Sequence, residues 1–169
     1  MKKLIIVGVG FAMALAANAA SVNWTATGCG TEGNVGYFFD EATIASASVK
    51  SAILNSTFGS VAGEALGMTT VNAAGVLTKQ GMGSYGNAGA ESHNFYTVLF
   101  DAASASDAKN FILTDAVTVD FANSIGAKPA LFANVTTTYG WNPTNVPEPT
   151  TGLLLLLGMA GLALKRKQA

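Results

Sequence analysis

Asn94 to Asp101 reads NFYTVLFD, the densest run of large apolar residues in the middle of the chain. At the two-residue period of a strand, Phe95 and Leu99 fall on one face, and Tyr96, Val98 and Phe100 fall on the other. A strand with two apolar faces must be covered on both sides, so this one belongs at the centre of the architecture. What surrounds it reads mainly as short strands. Ser21–Thr27 alternates, with Val22, Trp24 and Ala26 opposed to Asn23, Thr25 and Thr27, the pattern of a half-buried strand. Gly36–Phe39 makes an aromatic strand ending at Asp40, and Val76–Lys79, Asn110–Thr114, Val117–Phe121 and Ala130–Thr138 continue the series.

One segment has helical spacing. In Thr43–Asn55, Ala45, Val49, Ala52 and Ile53 share a face, and Thr43 is placed to cap it. Phe58–Gly75 reads as a Gly-rich connection with a helical turn near Gly63–Gly67, and Gly81–Glu91 (GMGSYGNAGAE) as a flexible loop. Ala102–Lys109 reads as a small-residue turn with Asp107 as a cap for a brief helical turn. Short strands in series joined by Gly- and Ser-rich turns predict a mostly β domain, a β-sandwich or sandwich-like α+β fold with one packed helix. No internal repeat suggests a solenoid.

Charge narrows the function. Between Ala20 and Val146 there are four lysines, no arginine and nine acidic residues, leaving about five net negative charges. Such a domain lacks the basic footprint that nucleic acid or an anionic lipid surface requires, so no nucleic-acid partner is expected. The single cysteine, Cys29, cannot form an internal disulfide. Polar residues separate Ala26-Thr27-Gly28-Cys29 from the apolar N-terminal run, so Cys29 reads as a buried thiol rather than a lipidation site.

Catalytic chemistry finds little support. His93 is the one histidine, too few with a distant Cys29 for a zinc or iron site, and no Gly-x-Ser-x-Gly elbow accompanies it. It reads as a hydrogen-bonded residue at a strand edge. The carboxylate pairs Asp40–Glu41, Asp101–Asp107 and Asp115–Asp120 lie at strand ends or turns, where Asp caps backbone N–H groups. A calcium site around Asp101 and Asp107 would lack the usual Asp-x-Asn-x-Asp-Gly loop. No catalytic residue, metal ligand or cofactor is therefore expected, and no enzymatic activity. The aromatic residues Trp24, Tyr85, Tyr139 and Trp141 are candidates for stacking on sugar rings, with Tyr85 and Trp141 the foremost glycan contacts.

The two ends of the chain read as address labels. Met1-Lys2-Lys3, the apolar Leu4–Ala16 and the small-x-small Ala17-Asn18-Ala19 form a signal peptide, residues 1–19, to be cut by signal peptidase after Ala19 or Ala20. The domain follows at 20–142, a linker at 143–149, and a membrane helix with a basic tail at 150–169. Val146-Pro147-Glu148-Pro149 is extended, because each proline disfavours helix at the residue before it. The apolar run Gly152–Leu164 follows, and then Lys165-Arg166-Lys167, which holds that end in the cytoplasm. The 13 apolar residues reach about 20 Å, short of a bilayer core of about 30 Å, so an ordinary tail anchor fits poorly.

That order of Pro-Glu-Pro, apolar helix and basic end resembles the PEP-CTERM sorting signal of Gram-negative bacteria. The resemblance covers only the C-terminal segment. It implies recognition of Val146–Pro149 by an exosortase, a membrane-embedded peptidase, and delivery to the cell surface or the extracellular polysaccharide. The expectation is an exported surface or matrix protein with a structural or interaction role. A carbohydrate-binding module of the exopolysaccharide is the alternative, and a small hydrolase a more distant one.

Overall fold

A computed structural model describes residues 19–86, 91–122, 124 and 126–144. The expected signal peptide up to Asn18, the sorting motif and the expected C-terminal helix lie outside the described residues. Among those described, no helix is long and apolar enough to cross a membrane.

The domain is mostly β, with two sheets. The first has three strands in the order β4 (Leu77–Tyr85), β1 (Ala20–Ala26), β8 (Ala127–Phe132), β1 running antiparallel to β4 and parallel to β8. The second has the order β3 (Gly67–Thr70), β2 (Val35–Asp40), β5 (Ser92–Phe100), β6 (Asn110–Leu113), β9 (Asn142–Pro143), with β7 (Val117–Asp120) also pairing β5. β3 lies beside β4 and β7 beside β8, so the two sheets approach along both margins.

β5 is the central strand its sequence requires. Phe95 and Leu99 enter a core between the sheets with Val22, Trp24, Phe38 and Phe121. Tyr96, Val98 and Phe100 enter a second core with Phe39, Phe58 and the helix residues Val49 and Ile53. The helix, α1 (Ser46–Leu54), thus covers the outer face of the larger sheet and makes a third layer. The Tyr96 hydroxyl donates to the Ile44 carbonyl at 2.9 Å, pinning the approach to α1 against β5.

Thr97 is the polar member of the inner face. It is fully buried, and its hydroxyl accepts the Trp24 indole N–H at 3.0 Å. Its backbone N–H donates to the Thr114 hydroxyl at 3.0 Å, where β5 passes from pairing with β6 to pairing with β7. Close sheet contact is set by Gly36 on β2. A Cβ there would collide with the Leu77 side chain and come within 3.2 Å of the Trp24 ring.

Several expected elements differ. Gly81–Glu91 is not a loop from its start, because β4 continues through Tyr85. Gly81 and Gly83 have φ of +67° and +69°, and they fall where the β1–β4 register shifts, so these glycines make bulges within a strand. The strand expected over Ala130–Thr138 ends at Phe132. Asn134, left-handed at φ 52°, then turns the chain into a short helix, α2 (Val135–Tyr139). α1 begins after Ala45 with no side-chain cap, so Thr43 is not its N-cap; the Thr43 N–H instead closes a turn to the Asp40 carbonyl. The connection after α1 carries two 3-10 turns, Phe58–Ser60 and Ala62–Glu64, and ends in β3. Ordered structure also runs past Asn142. Pro143 pairs with Asn110, and Thr144 is buried.

Candidate functional site

The polar cluster of the domain is at the end of the sandwich where β2 finishes and β5 begins. His93 Nδ1 is 2.7 Å from Asp40 Oδ2, and Nε2 is 3.1 Å from Glu91 Oε1. The His93 side chain is 19% exposed, Asp40 only 5%, and Glu91 40%. Burial, the largest single influence, pulls the His93 pKa down, but the bonds and charges of Glu91 and Asp40 together hold it above its ordinary value. The ring packs against Tyr85 at 4.6 Å and Phe95 at 6.1 Å between centroids.

This arrangement differs from a Ser-His-Asp relay in its hydrogen-bond partners. A Ser-His-Asp relay leaves one imidazole nitrogen facing the nucleophile, whereas both nitrogens of His93 are taken by carboxylates. The two carboxylates meet different nitrogens of the ring. Among the described residues, no group of three His, Cys, Asp or Glu side chains is placed to hold a metal ion.

The other carboxylates organise turns. Asp101 Oδ1 accepts the N–H groups of Lys109 and Asn110, each at 2.9 Å, and Oδ2 accepts the Asn110 side-chain amide at 2.7 Å. Burial raises its pKa, but these bonds outweigh that effect and hold the carboxyl below the usual range. Asp107 is bonded instead to Ser104 at 2.9 Å, so Asp101 and Asp107 do not share a ligand position. Asp120 accepts the Ala122 N–H at 2.8 Å, Glu41 accepts the Ser46 hydroxyl at 3.4 Å, and Asp115 is exposed.

The candidate sugar platforms separate clearly. Trp24 is fully buried, and Tyr85 is 6% exposed with its ring stacked on Phe121 at 4.3 Å. Tyr85 therefore offers no face to a sugar ring in this structure. Its hydroxyl is buried beside Asp40 without reaching any group in good hydrogen-bond geometry. Burial first, and then the Asp40 charge, push its pKa far up. Tyr139 is half-buried against the core. Trp141 alone of the four is exposed, at 39%, with its ring edge over the Gly30 turn.

A cavity that the sequence did not announce opens near the C-terminal end of the domain. It measures about 420 Å³, within the range of small-molecule sites, and is lined by Tyr37, Phe58, Phe100, Ser104, Ser106 and Thr144 among others. Its lining comes from four separate stretches of chain, and no local motif marks such a meeting.

The fold is thus a mostly β domain of two facing sheets with a helical layer on the larger one. The chain carries, at residues 145–167, a match to the PEP-CTERM protein-sorting motif. This motif marks it as an exported protein sorted to the cell surface by an exosortase system. No curated protein and no solved structure matches the chain.

Proposed function

We propose that this chain is a structural or interaction protein of the cell surface or extracellular matrix, without enzymatic activity. The carrying observation is the sorting motif at 145–167, joined directly to a packed β domain. The doubly bonded His93 supports the non-enzymatic part of this reading, since neither ring nitrogen is open to a substrate.

In this reading signal peptidase removes residues 1–19, the C-terminal helix holds the precursor at the membrane, and Pro147-Glu148-Pro149 is the recognition element. Lys165–Lys167 sets the depth of the helix. Cell fractionation with sizing of the protein in each fraction tests it. Glu148→Ala should leave a full-length membrane-bound precursor, and replacing Lys165-Arg166-Lys167 by neutral residues should give partial secretion. A Glu148 variant shortened and delivered like the parent would reduce the motif to a linker. His93→Ala should remove no glycan or ester hydrolysis; loss of such an activity would overturn the non-enzyme reading.

A carbohydrate-binding role in the exopolysaccharide is favoured by one observation, the exposed ring of Trp141. Its test is retention of the domain on a polysaccharide column, expected to fall on Trp141→Ala.

A further inference from the structure

The last described residue is held to the sheet more firmly than a linker residue needs to be. The Thr144 N–H donates to the Lys109 carbonyl at 2.9 Å. Its hydroxyl lies 3.0 Å from the Ala108 carbonyl and 3.1 Å from the Lys109 carbonyl, and the residue is only 8% exposed. Just before it, β9 contributes two residue pairs, Asn110 with Pro143 and Phe111 with Asn142, at the margin of the larger sheet. The Lys109–Asn110 corner receiving these bonds is itself fixed by Asp101.

Only Asn145 and Val146 separate this clamp from Pro147. Three residues span at most about 11 Å of extended chain. A peptidase that grips an extended segment on both sides of its motif therefore meets the folded domain immediately. Asn142 and Pro143 are exposed and Trp141 stands beside them, so the strand can be approached from solvent, whereas Thr144 cannot be gripped while it is buried.

We propose that β9 with Thr144 is a latch, which must leave the sheet before the sorting motif can be fully engaged by its membrane peptidase. The proposal rests on the sorting reading above. A two-residue strand at a sheet margin is suited to this, since none of Asn142, Pro143 and Thr144 belongs to either hydrophobic core, and its release opens only the Thr144 side of the cavity beside the second core. The latch would hold back processing of a chain until its last strand can be released.

The test is pulse-chase processing of the full chain in the expressing cell. Thr144→Val keeps the shape and removes the hydroxyl donor. The loss of one net hydrogen bond corresponds to roughly a fivefold shift in the opening equilibrium, so processing should speed up by about that factor. A second variant, with six Gly and Ser residues inserted between Thr144 and Asn145, leaves every clamp bond intact but supplies reach, and should also be processed faster. If either variant is processed at or below the parent rate, the latch is overturned. Glu148→Ala in parallel separates the two readings: if it is processed like the parent, the sorting reading has failed; if it is blocked while the other two match the parent, only the latch has.

Discussion

His93 Nδ1 and Asp40 Oδ2, 53 positions apart in sequence, meet at 2.7 Å and tie the start of β5 to the end of β2. A neutral imidazole carries one N–H and can satisfy one carboxylate; the protonated ring can satisfy Asp40 and Glu91 together. The folded-state pKa of His93 lies above its unfolded value of about 6.5. The stabilisation is therefore fully present below about pH 6.5 and is lost as pH rises through the raised folded value. The parent should lose stability, seen as a falling Tm, across that window. Thermal unfolding of His93→Gln against pH should be flat in the same interval. A parent curve equally flat would mean that the ring is not shared between the two carboxylates.

The Trp24–Thr97 bond joins the two sheets through the buried core. Thr97→Val leaves the indole N–H buried without an acceptor and should cost about 1–3 kcal/mol. In a double-mutant cycle, the Trp24→Phe, Thr97→Val pair should be less destabilised than the two singles added, by about 1 kcal/mol. Denaturant unfolding of the four proteins measures this, and strict additivity would show that the bond carries no coupling.

Tyr85 presents the opposite case. Its hydroxyl is buried beside a carboxylate without a well-formed bond, so Tyr85→Phe should be neutral or slightly stabilising. Its ring fills the space between His93, Phe95 and Phe121, so Tyr85→Ala should cost about 3–5 kcal/mol. A Phe variant that loses more than about 1 kcal/mol would reveal a hydrogen bond worth keeping.

Cys29 should be silent toward thiol reagents in the native protein. It is fully buried with its Sγ 3.3 Å from the Ala26 carbonyl. Burial pushes its pKa up to about 11, with the backbone contact at Leu77 only partly opposing the shift. Maleimide labelling at pH 8 should proceed only after denaturation; rapid native labelling would mean that the Cys29 turn opens readily.

The parts of the fold legible in the sequence were those in which a single strand reports its own environment. The alternation of Val22, Trp24 and Ala26 and the two apolar faces of Asn94–Asp101 each state their burial without reference to a partner. What was not legible depended on pairing. Gly81 and Gly83 read as loop because glycine is rare in strands, yet here they absorb register shifts between β1 and β4. Thr136, Thr137 and Thr138 read as strand from their β-branched side chains. They instead form a helical turn, in which Thr136 bonds the Gly28 carbonyl and Thr137 that of Asn134. At the polar cluster, Asp40 read as a strand-end carboxylate and His93 as a strand-edge residue, and nothing local joined them. That required the β2–β5 register, which places Asp40 opposite Phe95. The sorting motif was legible in full because its order is linear and needs no tertiary partner.

The parallel pairing of β1 with β8 bears on the timing of export. Ser21 to Ala26 is matched residue by residue with Ala127 to Phe132, so one edge of the first strand waits for a partner more than a hundred residues downstream. Contacts of such long sequence separation form slowly, because the intervening loop must close before they yield any stabilisation. A chain passing through a membrane N-terminus first would pair its leading strand with β4 on one side but leave the β8 side open until nearly the whole domain had emerged. Closure of the three-stranded sheet is thereby tied to the arrival of the last strands, which slows complete folding of the chain before its C-terminal part is available.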